Sequence, residues 1–235
     1  ILRFAIDPIS IVIFKKLINK SKIKNLDLNL NLMYLSEWYN NENVIKKIFT
    51  NLPKKIKTLS FVDSYGAMDP IQIKLFFEKI KKNYPQNFNY GCHFHNNCGL
   101  ALANSIAAMN INCSLVDTTF TGMGRGAGNA ETELLLAFDK SKRNLIKGFS
   151  LNNFIETMKN LKIKYGWGSS FAYSLAAKNG YSQGEMMNLL QKRRLDPATA
   201  LEVLSTKKNS KVVFKNYHNL IKKITKKNPP ILIGG

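Results

Sequence analysis

The sequence predicts an α/β protein in which five strand–helix units are followed by a purely helical region. Short apolar, β-prone segments alternate with amphipathic helical segments as far as Phe138. After Lys140 the patterns are helical, with no strand between them until the last few residues. Alternation of this kind is typical of βα units built around a parallel sheet.

The strand segments are short and each leads to a small or polar residue. They cover Ile1–Ile6, Leu28–Leu32, Thr58–Val62, Tyr90–His93 and Cys113–Asp117. The helices predicted between and after them are Ile9–Ile18, Asn41–Phe49, Ile71–Lys82, Leu100–Met109 and Ala130–Phe138. The polar residues that follow the strands are Asp7, Ser36, Asp63, Ser64, His93, His95 and Asp117. In a (β/α)₈ barrel that end of the strands carries the chemistry, so the pattern predicts part of such a barrel.

Charge and composition exclude few functions by themselves. The 235-residue chain has a formal net charge of +20, which favours anionic partners. The lysines are dispersed over helix faces and loop ends, and no basic run is interleaved with aromatic residues as a base-stacking surface requires. The hydrophobic fraction of 45% is ordinary for a globular protein. We therefore expect no nucleic-acid partner.

Cysteine usage and the absence of long apolar runs indicate the compartment. The three cysteines, Cys92, Cys98 and Cys113, are odd in number and lack a CxxC spacing. This usage fits a reducing cytoplasm. No segment is long and apolar enough for a membrane span, and the start of the sequence has no signal-peptide layout. The chain also does not begin with methionine, which suggests an excised or incomplete chain.

The strongest chemical signal is His93-Phe94-His95 at a strand end. Residues two apart in a strand share a face, so both imidazoles project one way and Phe94 the other. Two imidazoles can hold a divalent cation if carboxylate or amide oxygens complete its coordination. The alternative is a pair of histidines satisfied by ordinary hydrogen bonds. Cys98 is a further candidate zinc ligand, although a small buried residue at a helix start is the simpler reading.

A glycine-rich turn lies between the last strand and the last helix of the alternating region. It runs from Gly122 to Gly128 and contains four glycines, which suit positive φ or a close approach to a ligand. Asn129 is predicted to cap the following helix. The spacing Gly122-x-Gly124-x-x-Ala127 also fits a dinucleotide-binding fingerprint. That alternative requires a parallel strand with an acidic residue after the helix, and the sequence shows none.

These residues together resemble a known family. The stretch from His93, H-x-H-N-N-x-G-x-A-x-A-N-S, and the stretch from Val116, V-D-x-T-x-x-G-M-G-x-G-A-G-N-x-x-x-E, are similar to the metal-dependent TIM barrels of the pyruvate aldolase and HMG-CoA lyase superfamily. Within it, the resemblance is to 4-hydroxy-2-oxovalerate aldolase-like proteins. It is specific from His93 to Glu133 and extends weakly from Ile1 to about residue 206.

The resemblance implies a site and a chemistry. His93 and His95 match the family's metal ligands, and Asn129 matches an asparagine in or beside the metal sphere. The metal is expected to be Mn²⁺ or Mg²⁺, with Zn²⁺ as an alternative. Ser64 matches a position near a 2-oxo acid substrate. The implied reaction cleaves a 4-hydroxy-2-oxo acid to pyruvate and an aldehyde through a metal-stabilised enolate.

The resemblance also implies how the chain is divided. Residues 1–145 correspond to the carboxyl-terminal part of the barrel, strands four to eight, because the glycine-rich turn matches the family's final barrel loop. Residues 146–228 correspond to a helical tail, and residues 229–235 to the start of a further domain. The first-strand motif, with its acidic ligand and arginine, is then expected to be missing. We therefore expect residues 1–235 alone to be inactive as a lyase.

The remaining expectations concern the helical tail. The aldolases place a catalytic tyrosine in a tract similar to Gly166–Phe171, where this sequence has Gly168. Tyr165 or Tyr173 is the expected substitute. The tail is also expected to contact a partner, either a second copy of the chain or a dehydrogenase.

Two other functions stay open at the sequence level. A Claisen-type acyl-CoA condensing enzyme of the same superfamily would consume acetyl-CoA and a 2-oxo acid. A non-catalytic barrel scaffold would fit a chain that lacks the first-strand motif.

Overall fold

The computed structural model describes residues 1–21, 27–85, 88–139 and 151–209. Five strands form one parallel sheet in the order of the chain. They are β1 (Leu2–Ile6), β2 (Leu28–Leu32), β3 (Ile56–Asp63), β4 (Asn89–Phe94) and β5 (Leu115–Asp117). Sequential parallel neighbours joined by helices are the architecture of a (β/α)₈ barrel, here in part. The prediction of a partial barrel followed by helices is confirmed.

Helices connect the strands and then continue alone. Those of the alternating region are α1 (Ile11–Lys20), α2 (Leu35–Trp38), α3 (Glu42–Asn51), α4 (Pro70–Asn83), α5 (Ala101–Asn110) and α6 (Thr132–Phe138). The tail contains α7 (Leu151–Tyr165), α8 (Phe171–Lys178), α9 (Gln183–Met187), a π-helical turn (Asn188–Lys192) and α10 (Pro197–Asn209). None of the described helices is long and apolar enough to cross a membrane.

Local sequence signals account for most of these boundaries. Asp69 and Gln72 form a capping box at the start of α4, whose first residue is Pro70. Asn41 accepts a hydrogen bond from Val44 N and so caps α3. The short helix α2 was not predicted, because it follows Tyr34 in the left-handed conformation (φ 60°) and is only four residues long. The helical pattern beyond residue 209 and the strand expected in the last few residues of the sequence lie outside the described residues.

The two faces of the sheet differ in character. The face toward the helices is apolar: Leu30, Phe61 and Phe94 are fully buried in one core cluster with the helices. The opposite face, which is the barrel interior, carries polar residues at alternate positions of the strands. They include Arg3, Asn29, Asn31, Thr58, Ser60, His93 and Asp117. The alternation follows from the two-residue period of a strand.

The sheet curls enough for its two edges to meet through side chains. Arg3 on β1 donates from Nη1 to both carboxylate oxygens of Asp117 on β5, at 2.8 and 2.7 Å. These strands are the first and last in the sheet order. A flat sheet would hold strands that are four places apart nearly 20 Å from each other. The contact therefore reports barrel-like curvature.

The helical tail packs on the carboxyl-terminal end of the strands. Its own apolar cluster includes Tyr173, Met186 and Leu189, and Ala127 of the glycine-rich turn belongs to that cluster as well. Because the tail shares a cluster with this turn, it covers the end of the barrel where polar residues collect.

Candidate metal centre

His93 and His95 lie where β4 ends, on the side predicted. His93 is in β4, and His95 follows it in an isolated antiparallel bridge with Asn129. The two imidazole centroids are 5.2 Å apart. Phe94 between them points into the apolar core and has no exposed surface. The prediction that the imidazoles share one face and Phe94 takes the other is confirmed.

His93 faces a carboxylate. Its Nδ1 is 3.4 Å from Oδ2 of Asp117, the residue directly across the ladder in β5. Asp117 is also held by Arg3. Burial alone would raise the pKa of the Asp117 carboxyl, but His93 and Arg3 outweigh burial and hold it below its ordinary value. Asp117 is therefore an anion in this site.

His95 sits in a more enclosed position. Burial, followed by the charges of His93 and Arg125, lowers the pKa of its imidazole to about 4. Its Nδ1 is shielded from solvent and has no hydrogen-bond partner among the described residues. The ring is therefore neutral near pH 7, which is the form that ligates a cation.

Asn129 has a different local role from the predicted one. The prediction that it caps the next helix is wrong, because α6 begins at Thr132 and the cap position is Glu131. The backbone of Asn129 instead pairs with that of His95. Its Nδ2 donates to Met123 O at 2.9 Å, which fixes the amide and leaves Oδ1 buried without a partner among the described residues.

These three side chains fit a divalent cation. They offer imidazole nitrogens and an amide oxygen, and two of these potential ligand atoms, His95 Nδ1 and Asn129 Oδ1, are buried and bond to none of the described residues. An unsatisfied buried acceptor is costly unless a ligand meets it. In the described part of the chain no cluster of three or more His, Cys, Asp or Glu residues has metal-binding geometry. The set thus includes no carboxylate ligand.

The glycine-rich turn wraps around Asn129. A Cβ on Gly124 would lie 2.5 Å from Asn129 Nδ2, and one on Gly128 would lie 2.1 Å from Gly122 O. Gly122, Gly126 and Gly128 all have positive φ. Side chains would not fit at these positions, so the glycines serve to compact the turn around the amide. Among the described residues after Phe138 none is in a strand, which gives the dinucleotide-binding alternative no support.

Ser64 is buried beside this site at the end of β3. Its Oγ accepts a hydrogen bond of 3.0 Å from Tyr34 N, which leaves the hydroxyl proton to be donated elsewhere. The neighbouring Asp63 is fully buried, and burial raises the pKa of its carboxyl although a hydrogen bond from Met68 N opposes the shift. Among the described residues nothing accepts a hydrogen bond from the Ser64 hydroxyl, so that donor is available to a substrate.

The two candidate tyrosines lie on the tail. Tyr165 ends α7 and is 66% exposed, whereas Tyr173 is buried in the apolar cluster of the tail. Burial raises the pKa of Tyr173. Cys98 is half-buried after β4, and burial raises the pKa of its thiol, so it is not a thiolate near neutral pH. Arg125 is exposed, and its carbonyl oxygen accepts from Gln183 Nε2 at 2.7 Å.

The structure adds two residues to the site that sequence reasoning did not assign. The sequence marks Asp117 only as a polar residue at a strand end and does not mark Arg3. A carboxylate ending the strand next to a histidine-bearing strand was the available signal for Asp117. No sequence signal pointed to Arg3, because it contacts Asp117 across 114 residues of chain.

The sheet is parallel and built from βα units, and a histidine pair and a buried asparagine lie at its carboxyl-terminal end. These features define the class as a (β/α)₈-type barrel protein with a candidate metal centre. The chain belongs to the HMGL-like family, whose profile matches residues 20–160. This confirms the family resemblance seen in the sequence.

Individual relatives match a shorter stretch. The chain is 44% identical over 75 residues to a 4-hydroxy-2-oxovalerate aldolase of Carboxydothermus hydrogenoformans and 45% identical over 78 residues to that of Pelotomaculum thermopropionicum. Each match covers 32% of this chain and 22% of the relative. A 2-isopropylmalate synthase of Brevibacillus brevis is 36% identical over 88 residues, which is 36% of this chain and 17% of the relative. The matched stretch is therefore about a fifth of each curated relative's length.

Solved structures agree on the fold. The N-terminal domain of a putative aldolase from Bacteroides vulgatus has a TM-score of 0.66 at 33% identity, over 79% of this chain and 62% of that one. HMG-CoA lyase from Bacillus subtilis has a TM-score of 0.53 at 20% identity, over 71% of this chain and 63% of that one. Pyruvate carboxylase from Rhizobium etli has a TM-score of 0.60 at 14% identity, over 86% of this chain and 22% of that one.

Proposed function

We propose that the protein is a divalent-metal-dependent carbon–carbon lyase that cleaves a 4-hydroxy-2-oxo acid to pyruvate and an aldehyde. The single observation behind the proposal is that His93, His95 and Asn129, whose backbone pairs with that of His95, lie at one strand end, and that two of their ligand atoms are buried without a partner among the described residues. The aldolase names of relatives at about 40% identity supply the reaction class. Mn²⁺ or Mg²⁺ is the proposed cofactor.

The residues of this chain have separate tasks in the proposal. His93, His95 and Asn129 hold the cation, which supplies Lewis-acid stabilisation of the negative oxygen that develops when a bond beside a carbonyl breaks. Ser64 points its free donor at the carboxylate or keto group of the substrate and so orients it. The tail covers the strand ends and excludes water.

The division of the chain stays a proposal as well. Residues 1–145 provide the carboxyl-terminal part of the barrel, residues 146–228 the helical tail, and residues 229–235 the start of a further domain. The acidic metal ligand that the three donors lack then comes from the first strand of the complete barrel. Catalysis is accordingly assigned to the complete gene product.

The test is a Mn²⁺ titration of the complete protein by isothermal titration calorimetry, with His93→Ala, His95→Ala and Asn129→Ala. Each substitution is expected to weaken binding by at least about tenfold, because each removes a ligand. His218→Ala, which removes the third histidine of the sequence, is the control and should bind as the unaltered protein does. Pyruvate release from a 4-hydroxy-2-oxo acid should require the cation. Unchanged binding in both histidine variants would refute the site.

A Claisen-type condensing enzyme is the second candidate, favoured by the match to a 2-isopropylmalate synthase. The two reactions differ in their acyl substrate. Consumption of acetyl-CoA with a 2-oxo acid, with no pyruvate formed from the 4-hydroxy-2-oxo acid, would replace the aldolase assignment by this one.

A partner on the tail stays a prediction. Ile163, Tyr165 and Phe171 are exposed large side chains there, at 83, 66 and 73%. Light scattering of the purified protein tests for a homodimer, and co-purification with a dehydrogenase tests the other candidate.

A further inference from the structure

We propose that Asp117 and Arg3 form a positioning pair that fixes the imidazole of His93 for metal binding, an inference that rests on the proposed function. Neither residue touches the substrate or the cation in this proposal. Asp117 acts on His93, and Arg3 acts on Asp117.

The first step is the placement of His93 and Asp117. They are register partners in neighbouring parallel strands, and both side chains face the barrel interior. His93 Nδ1 and Asp117 Oδ2 are 3.4 Å apart. A carboxylate 3.4 Å from Nδ1 attracts a proton to that nitrogen, so its negative charge favours the tautomer with a protonated Nδ1. Nε2 then keeps its lone pair for a cation.

The second step is the way Arg3 holds Asp117. A single guanidinium nitrogen, Nη1, reaches both carboxylate oxygens at 2.8 and 2.7 Å. The Asp117 side chain is only 18% exposed, so its charge needs a partner. Since Arg3 lies on the opposite edge strand, this contact anchors the carboxylate across the barrel interior and limits its rotation. Asp117 is therefore kept at His93.

The third step distinguishes the role of Asp117 from that of the proposed metal ligands. Both of its oxygens are engaged by Arg3, whereas Asn129 Oδ1 and His95 Nδ1 are buried and have no partner in the part of the chain that the structure describes. The two histidines also differ. Only His93 has a carboxylate at Nδ1, so the tautomer of His95 does not depend on Asp117.

The test compares Asp117→Ala and Asp117→Asn with the unaltered full chain. In the metal-free protein, long-range ¹H–¹⁵N correlations of the imidazoles should show His93 protonated on Nδ1, and this preference should be lost in Asp117→Ala. Mn²⁺ affinity, measured by calorimetry, should fall about 10- to 100-fold, the usual effect of removing a residue that orients a metal ligand. Asp117→Asn keeps the size of the side chain and should give a smaller loss.

Arg3→Gln tests whether Arg3 acts on Mn²⁺ affinity through Asp117, a dependence that a purely structural role would not produce. Alone it should weaken Mn²⁺ binding, and in the Asp117→Ala background it should add nothing, because it acts only through Asp117. Glu78→Gln, which removes the acidic member of the exposed Lys74–Glu78 pair, is the matched control and should change neither readout.

The outcomes separate this inference from the proposed function. An unchanged His93 tautomer in Asp117→Ala, with unchanged Mn²⁺ affinity, overturns the positioning role and leaves the metal site standing. Additive losses from Arg3→Gln and Asp117→Ala would overturn the role of Arg3. Mn²⁺ binding that persists in His93→Ala and His95→Ala instead overturns the proposed function, while the metal-free tautomer result is independent of it.

Discussion

The indole Nε1 of Trp167 donates a hydrogen bond of 2.9 Å to the carbonyl oxygen of Thr121, so the helical tail is tied directly to the turn that carries Asn129. Thr121 has a left-handed backbone (φ 51°), and its own N–H donates to the carboxylate of Glu133. Two further contacts join the same parts: Gly168 N donates to Gly126 O, and Gln183 Nε2 donates to Arg125 O. The tail therefore helps to shape the turn around the candidate site.

Removing the Trp167 hydrogen bond should loosen this connection. Trp167→Phe leaves the Thr121 carbonyl without its partner, which should lower the free energy of unfolding by about 1–2 kcal/mol. Urea denaturation followed by circular dichroism measures the change. Ile163→Val, an 83% exposed position on the same tail, is the control and should change stability by less than about 0.5 kcal/mol. Equal effects of the two variants would show that the indole contact contributes nothing.

Alanine substitutions at Gly128 and Gly99 distinguish the cost of backbone strain from the cost of steric crowding. Both have positive φ, 77° and 71°, but a Cβ at Gly128 would lie 2.1 Å from Gly122 O, whereas one at Gly99 meets nothing within 4 Å. Gly99→Ala should therefore cost only the strain, about 1–2 kcal/mol. Gly128→Ala should cost about 1–3 kcal/mol more because the turn must move. Thermal unfolding compares them, and Mn²⁺ affinity should fall only in Gly128→Ala.

Ser64→Ala should destabilise the protein as well as affect the substrate. It removes the acceptor of the N–H of Tyr34, whose backbone is left-handed, at a cost of about 1–3 kcal/mol. Ser114→Ala is the matched control. Ser114 is exposed, and when its hydroxyl is removed Tyr90 O still accepts a hydrogen bond from the backbone N–H at position 114. If Ser64 also orients the substrate, KM of the complete enzyme should rise. An unchanged unfolding midpoint would contradict the role of the hydrogen bond.

Asp196 should make the stability of the tail depend on pH. Its carboxylate accepts from Ala198 N, Thr199 N and Thr199 Oγ1 at the start of α10. Partial burial would raise its pKa, but these hydrogen bonds outweigh burial and lower it from 3.8. The folded-state pKa lies below the unfolded-state pKa. The stabilisation is therefore complete above the unfolded-state pKa and is lost as the pH falls through the folded-state pKa.

Asp196→Ala should therefore remove about 1 kcal/mol near neutral pH, and its difference from the unaltered protein should shrink as the pH is lowered below 3.8. Hydrogen exchange of α10 measures the local effect. Asp196→Asn keeps a capping acceptor that does not titrate, so its stability should not follow this pH dependence. A difference between Asp196→Ala and the unaltered protein that is constant down to the lowest pH would contradict the prediction.

Sequence reasoning located the strands well because burial on a parallel sheet leaves a clear pattern. Leu28–Leu32 was predicted with its exact bounds, and the two-residue period correctly separated His93 from Phe94. The strand predicted at Cys113–Asp117 is shorter, since it pairs only from Leu115 onward. Periodicity identifies which residues face the same way, but pairing with the neighbour decides where a strand starts.

Asn129 shows where local reasoning failed. An asparagine before a helix is a good N-cap by composition, so the sequence favoured that role. The backbone of Asn129 is instead engaged by His95, 34 positions earlier, and its amide by Met123. Such partners are brought together by the folded sheet, and no local pattern encodes them.

The sequence by itself determined the order of strands and helices, the histidine pair on one face of a strand, and the family. These depend on periodicity and on contiguous motifs, which are properties of neighbouring residues. Only the tertiary structure decided that Arg3 reaches Asp117 across the curled sheet, that Asp117 faces His93, and that the tail holds the turn around Asn129. Each of these contacts joins residues that are distant in the chain, so it exists only after the sheet has curved and the tail has packed on it.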